Sequence, residues 1–212
     1  MRCNIPSESE LNRAKDMRFT RELHDKLRRA SVAIAGAGGL GSNVAVMLAR
    51  AGIGHLHIVD YDIVDITNLN RQAYTIRHIG MHKADAISNI LLEINPYMKV
   101  TTENIMVDES NCVRIFGGFD LVCEAFDRAS TKSMLVSTLL SETGEQVVVS
   151  GSGMAGYGDA NAIKSRCVTK RLYICGDETT DVSEGIGLMA PRVSICSGHQ
   201  ANLIVRLILG EA

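Results

Sequence analysis

Residues 34–72 read IAGAGGLGSNVAVMLARAGIGHLHIVDYDIVDITNLNRQ. The apolar run Ser31–Ala35 enters this stretch and breaks at Gly36-Ala37-Gly38-Gly39-Leu40-Gly41. Ser42–Ala51 then carries apolar residues at helical spacing and stops at Gly52. The order is strand, glycine turn, helix. The first glycine permits the tight turn, the second lets backbone approach a phosphate, and the third allows close helix–sheet contact. The N-terminus of the helix supplies unpaired N–H groups and partial positive charge for an anion. His55–Asp60 (HLHIVD) predicts a second strand, and the carboxylate at its end can accept hydrogen bonds from ribose hydroxyls. This pattern alone suits NAD and ATP equally.

Outward from it, elements alternate. Glu22–Arg29 reads as a short amphipathic helix ahead of the first strand. Lys83–Ile94 is a stronger one, with Ala86, Ile87, Ile90, Leu91 and Ile94 on one face and a stop before Asn95-Pro96. Strands are expected at Lys99–Ile105, Phe119–Glu124 and Gln146–Ser150, with helices at Glu109–Phe116 and Thr131–Leu140 between them. The alternation predicts an α/β fold: a Rossmann-like, doubly wound, mainly parallel sheet with helices on both faces. A single domain over 1–212, with a helical N-terminal arm at about 8–30, is the expected organisation. Beyond Gly151 the pattern weakens. Ser150–Gly158 (SGSGMAGYG) is glycine-rich, Ala162–Ile174 holds one or two late strands, Thr179–Gly187 reads as a mobile loop, and His199–Leu209 as the last helix.

The chain has 212 residues, 46% apolar and 22% charged, with a net charge of -2. No block of one sign favours nucleic acid or a membrane surface. There is no apolar run long enough to span a bilayer and no signal-peptide pattern at the start, so the expected location is cytoplasmic. Six scattered cysteines, Cys3, Cys112, Cys123, Cys167, Cys175 and Cys196, read as free thiols.

A dehydrogenase has little use for the polar segment after Asp60. Residues 61–82 carry Asp65, Asn68, Asn70, Arg71 and Gln72, and Lys83 opens the next helix. Arg71 can clamp phosphate oxygens, or pair with Asp62 or Asp65. A cation at a helix start works against the dipole, which points to an anionic ligand for Lys83; the alternative is an exposed surface lysine. After the fourth strand comes Glu124-Ala125-Phe126-Asp127-Arg128-Ala129-Ser130-Thr131-Lys132. Asp127 lies just past the carboxyl end of a parallel strand, where a carboxylate can hold Mg2+ or cap the next helix.

These motifs resemble the ubiquitin-activating-enzyme-like superfamily, in particular the ThiF/MoeB-like sulfur-carrier adenylyltransferases, and most of all ThiF. The resemblance covers roughly Ser31 to Glu211: GAGGLGS, IVDYDIVDITNLNRQ, the lysine of GMHKADA, INPYMKV, the Asp127 turn, and GLMAPRVSICSGHQANLIVRLILG. It implies ATP-dependent adenylylation of the C-terminal Gly-Gly carboxylate of a small β-grasp sulfur-carrier protein, with thiamine biosynthesis the expected pathway. The single domain is then an adenylation domain. By matching position the resemblance implies that Gly36, Gly38, Gly39 and Gly41 line the nucleotide and Asp60 the ribose. Asn68 and Arg71 then contact ATP, Lys83 touches phosphates, and Asp127 lies by the α-phosphate and Mg2+. Arg71, Lys83 and Asp127 are the expected catalytic set. A homodimer is implied as well, with Arg18 and Arg21 of Arg18-Phe19-Thr20-Arg21 reaching a partner's site. Rival readings are an NAD-dependent oxidoreductase and a nucleotide-binding scaffold without chemistry.

Three departures from that family stand out. Cys167-Val168-Thr169-Lys170 has Lys170 where a second zinc cysteine would sit, so no zinc site is expected. The segment DVSEGIGLMAP lacks the family's candidate cysteine, leaving Cys175 as the nearest. The arginine arm is close to the first strand. Cys196 and His199 have C-x-x-H spacing, which reads as packing.

Overall fold

In a computed structural model, which describes residues 5–212, the chain forms a seven-stranded sheet flanked by helices on both faces. Cys3 lies outside the described residues. The strands are β1 (Ser31–Ala35), β2 (His55–Val59), β3 (Lys99–Glu103), β4 (Leu121–Glu124), β5 (Val147–Gly151), β6 (Lys164–Thr169) and β7 (Leu172–Gly176). The helices are α1 (Glu8–Asp16), α2 (Arg21–Arg29), α3 (Gly39–Ala51), α4 (Lys83–Ile94), α5 (Glu109–Phe116), α6 (Ala129–Glu142) and α7 (Ala190–Leu209).

Sheet order is β3-β2-β1-β4-β5-β7-β6, parallel throughout except for the antiparallel edge pair β6–β7. Alternation along each strand splits the core. Val32, Ile34, Leu56 and Ile58 face α3, α4 and α7, whereas Ala33, Ala35, Val59 and Val122 face α5 and α6. Strand order reverses between β1 and β4, and the crevice above that point is where α/β sheets bind ligands.

Several boundaries differ from the sequence expectation. α3 starts at Gly39, because the glycines that make the turn also make the first helical turn. α7 starts at Ala190 instead of His199, with Pro191 in its first turn. Arg192, Ser197 and Gln200 are buried polar residues that break its apolar periodicity. Thr179–Gly187 is not a free loop: Thr179 and Thr180 both donate backbone N–H to Asp177 Oδ1 at 2.9 Å, and Val182–Glu184 forms a 3-10 turn.

Candidate nucleotide and acyl site

The glycine turn is fixed by sterics. Gly36 has φ +96°, and a Cβ there would meet the Ala125 carbonyl oxygen at 2.9 Å. A Cβ on Gly41 would lie 1.8 Å from the Gly36 carbonyl oxygen, so the third glycine is required for α3 to close on the turn. No side chain caps α3 at Gly38. Its first-turn N–H groups are therefore left for an anion.

Asp60 stitches the two ends of the βαβ unit. Its Oδ2 accepts Ala37 N–H and its Oδ1 accepts Asp62 N–H, each at 2.7 Å. Burial raises its pKa, opposed by those two hydrogen bonds and by Lys83. Each oxygen keeps a lone pair for a hydroxyl donor.

The excursion after β2 is pinned onto α3. Asn43 Nδ2 donates to Gly39 O at 2.6 Å and to Arg71 O at 2.9 Å. Ser42 Oγ accepts Ala73 N–H at 3.1 Å, and the buried Tyr74 hydroxyl donates to Ala37 O at 2.7 Å. Asp65 and Asn68 cap each other around a short 3-10 turn, which places Arg71 over Gly39. Arg71 Nη1 donates to Thr67 O and Asn70 Oδ1 at 3.1 and 2.8 Å. Among the described residues it pairs with no carboxylate, so neither Asp62 nor Asp65 takes its charge. Lys83 is different. It is 7% exposed, and its Nζ lies 2.7 Å from Asp62 Oδ2. The anion expected beside Lys83 includes a protein carboxylate, and the surface-lysine alternative is excluded.

Asp127 is exposed and has no hydrogen-bond partner among the described residues. It does not cap α6: the capping position is Arg128, which makes no side-chain cap bond. Gly36, Gly38, Gly39, Asp60, Asn68, Arg71, Lys83 and Asp127 all line one cleft of about 650 Å³. Gly41 packs beneath it. Arg18 and Arg21 do not line it. Their arm packs at the far end of α3, where Lys15 Nζ and the His24 ring approach Gly52, roughly 20 Å along the helix from the glycine turn.

Sequence reasoning missed the opposite wall. Backbone bonds Asp177 N to Gly153 O (2.9 Å) and Glu178 N to Ser152 O (3.1 Å) join Ser152–Ala155 to the Asp177–Thr180 turn. Buried Arg192, at the start of α7, bonds Ala155 O at 3.1 Å and pairs with the buried Asp177 carboxylate. Burial would raise Asp177, but the Thr180 and Thr179 hydrogen bonds and Arg192 hold it below the ordinary value. Glu178, the only non-glycine described with positive φ (57°), is held by a two-pronged bond to Arg166 of β6.

The cysteines stand apart from the cleft lining. Cys112, Cys123, Cys175 and Cys196 are buried, and burial pushes each thiol up. Cys175 is therefore poorly placed as a nucleophile. Cys196 Sγ donates to Cys175 O, and His199 pairs with Ser165 Oγ, so the C-x-x-H pair is packing. Cys167 is exposed and bonds Thr169 O. Among the described residues no three His, Cys, Asp or Glu side chains converge as a metal cage. No described helix is long and apolar enough to cross a membrane.

A Rossmann-like sheet with a glycine turn, a helix N-terminus and two cations over one switch point defines a nucleotide-binding α/β protein. Within that class the chain belongs to the ThiF family, whose model matches residues 12–212. It is 32% identical over 196 residues to the adenylyltransferase and sulfurtransferase MOCS3 of Culex quinquefasciatus, covering 88% of this chain and 43% of that protein. Identity to a probable molybdopterin-synthase adenylyltransferase of Porphyra purpurea is 37% over 120 residues, 56% of this chain and 31% of that one. The chain thus spans less than half the length of these curated relatives. Among solved structures, the E. coli tRNA N6-threonylcarbamoyladenosine dehydratase TcdA in complex with ATP superposes with a TM-score of 0.85 at 20% identity, covering 98% of both chains. That likeness extends the shared fold across the whole sheet.

Proposed function

We propose that this chain uses Mg·ATP to adenylate a carboxylate, the C-terminal Gly-Gly carboxylate of a small β-grasp sulfur-carrier protein. The observation that carries this reading is Arg71. It is a half-buried guanidinium above an uncapped helix N-terminus, bonded among the described residues only to neutral oxygens and facing the same cleft as Asp60, Lys83 and Asp127. Such a group is a phosphate clamp in waiting.

The carboxylate oxygen attacks the α-phosphorus. A new O–P bond forms, the bond to the β-phosphate oxygen breaks, and pyrophosphate leaves. No general base is needed, since the nucleophile is ionised at neutral pH. The difficulty is repulsion between anions, and Arg71 and Lys83 offset it. Asp62 takes one of the three Lys83 ammonium donors and leaves the others for phosphate oxygens. Asp127, exposed at the cleft and without a partner among the described residues, fits a Mg2+ ion, which is commonly held by one or two carboxylates plus phosphates. That ion would supply positive charge to the phosphate oxygens. Asp60 binds the ribose hydroxyls through its remaining lone pairs.

The pathway is the finer part of the proposal. Thiamine biosynthesis is the expectation from overall resemblance. The relatives' names instead speak of sulfur transfer and molybdopterin synthase, and that of the solved structure of tRNA modification. ATP–pyrophosphate exchange with a panel of Gly-Gly-ended β-grasp carriers from thiamine, molybdopterin and tRNA-thiolation routes is the test. Exchange with one carrier establishes the reaction and names the route. Tight NAD binding with no Mg·ATP signal in calorimetry would overturn it in favour of an oxidoreductase. A homodimer, with Arg18 and Arg21 serving the partner's cleft, belongs to the same proposal. Sedimentation of the purified chain as a monomer in the presence of Mg·ATP would remove that part.

A further inference from the structure

Glu124 ends β4 and its carboxylate is completely buried. Its Oε1 accepts Phe126 N–H at 2.8 Å, and its Oε2 accepts both Ser150 Oγ–H and Lys132 Nζ–H at 2.5 Å. Its main-chain carbonyl accepts Gln200 Nε2 at 3.0 Å. The carboxylate thus joins the Asp127 turn, the first turn of α6 and the end of β5, and the main chain of the same residue adds α7. Lys132 is the only cation bound to this carboxylate among the described residues, and it is not sealed in. Its side chain is 21% exposed and lines the cleft. An ammonium has three donors, and Glu124 takes one.

The position of Lys132 gives it a use. The cleft lining falls into two groups: the glycine turn, Asp60 and Asp127 after β1, β2 and β4, and Gly151–Ala155 with Thr179–Val182 after β5 and β7. Lys132 is tied to Glu124 at the end of β4 and, through that carboxylate, to Ser150 at the end of β5. In the sheet order β1-β4-β5-β7 that puts it between the two groups. A carboxylate that approaches a phosphate over the glycine turn from the β5 and β7 side passes the ends of β4 and β5, where this ammonium lies. Arg71 lies on the other side, on the excursion pinned to α3, and Lys83 ends that excursion, paired with Asp62.

We propose that Lys132 is the substrate-binding cation that receives the incoming acyl carboxylate, and that Glu124 is the positioning residue that aims it. The inference rests on the adenylation reading and adds the residue that recognises the nucleophile. In the free protein Glu124 offsets the lysine's charge and fixes its direction. When the nucleophile arrives, the remaining ammonium donors bind it and screen it from the phosphates without any rearrangement of the floor.

Removing Lys132 alone would leave Glu124 as an uncompensated buried charge, which risks the fold. The informative pair is therefore Glu124→Gln and the double variant Glu124→Gln/Lys132→Met. Glutamine still accepts Phe126 N–H and can still bond Ser150, so both variants keep a satisfied floor. Only the first keeps the cation. The measurements are Mg·ATP affinity by calorimetry and ATP–pyrophosphate exchange against concentration of the carrier that supports exchange in the unmodified protein. Expected is a carrier KM raised about 10- to 100-fold in the double variant, the size of one lost charge-assisted hydrogen bond. Glu124→Gln should move it only a few fold, with Mg·ATP affinity close to unchanged in both. Lys132→Arg should retain carrier recognition. A purely structural pair would instead make the two variants alike, or move Mg·ATP affinity as much as carrier KM, and either result overturns the inference while leaving adenylation standing. Absence of exchange in the unmodified protein with every carrier takes down the adenylation reading, and this inference with it.

Discussion

The two walls of the cleft are built by different physics. On the first, the glycine turn and the excursion after β2 are held by main-chain groups and short polar side chains: Ala37 and Asp62 N–H to Asp60, Asn43 to the Arg71 carbonyl, and Tyr74 to Ala37. On the second, Ser152–Ala155 and the Asp177–Thr180 turn are welded to α7 and β6 by two arginine–carboxylate pairs, one buried and one exposed. The first wall leaves a guanidinium without a carboxylate among the described residues, whereas the second consumes its guanidinium groups in structure. The first is thus fitted to bind phosphate and the second to keep its shape.

The largest effect expected from this contrast is on the second wall. Arg192→Met leaves the Asp177 carboxylate buried with its cation gone, which typically costs about 3–5 kcal/mol. The double variant Asp177→Asn/Arg192→Met, neutral on both sides, should recover most of it. Urea unfolding midpoints at constant slope measure both. If Arg192→Met unfolds at the same midpoint as the unmodified protein, the second wall is not held as described.

Next in size is the first wall, where the effect should fall on rate and spare stability. Arg71→Ala and Asp127→Asn each remove a group with no carboxylate or cation partner among the described residues, so the fold should tolerate both. On the proposed mechanism each loses about 3 kcal/mol of transition-state stabilisation, or roughly a hundredfold in ATP–pyrophosphate exchange. Near-normal exchange in both variants would erase the division between a binding wall and a structural one.

That division also explains what could be read from the sequence. The first wall is encoded locally. Glycine spacing and a following acid dictate its backbone, so β1 (Ser31–Ala35) and α4 (Lys83–Ile94) fall where periodicity places them, and Asp60, Asn68, Arg71, Lys83 and Asp127 meet in one cleft. The second wall is encoded by pairs far apart in the chain: Arg192 with Asp177, Arg166 with Glu178, and Gln200 with the Glu124 carbonyl. No local pattern announces them. The same buried polar residues hid the first half of α7, since Arg192 and Ser197 occupy core positions that an amphipathic reading reserves for apolar side chains. Glu124 and Lys132 stood in plain view in the polar stretch that begins at the end of β4, but only the fold shows one beneath the cleft and the other at its edge.

A smaller effect, with opposite signs on the two walls, is expected from pH. Asp177 sits below the ordinary aspartate value of 3.8, and Asp60 sits above it. A depressed carboxylate contributes stability that is present above its unfolded pKa and lost as pH falls through the folded one. A raised carboxylate does the reverse: its penalty is in force above the folded pKa and is relieved as pH falls toward the unfolded value. Acidification should therefore weaken the second wall while easing the first. The stability deficit of Asp177→Asn relative to the unmodified protein should be full at neutral pH and shrink below 3.8. A deficit that stays constant down to the acid transition would show that Asp177 is not held ionised by its donors and Arg192.

The smallest effect is expected at the cysteines, which belong to neither wall. Cys167 is exposed on the edge strand, and its thiol bonds the nearby Thr169 carbonyl. Cys167→Ser should shift stability by no more than about 0.5 kcal/mol, the range of surface substitutions. Cys175 is buried beneath the second wall, and its thiol is pushed up by burial. Cys175→Ala, which suits a buried apolar site better than serine, should cost some packing but no chemistry. In the proposed reaction the nucleophile belongs to the carrier's carboxylate, so ATP–pyrophosphate exchange should persist in both variants. Metal analysis of the purified chain should find no stoichiometric zinc, since Lys170 stands where Cys167 would need a partner thiol. The decisive arm is exchange by Cys175→Ala confirmed folded by circular dichroism. If exchange disappears there, a protein thiol takes part in the first chemical step. The second wall would then be a reactive surface, and its separation from the binding wall would fail at its simplest point.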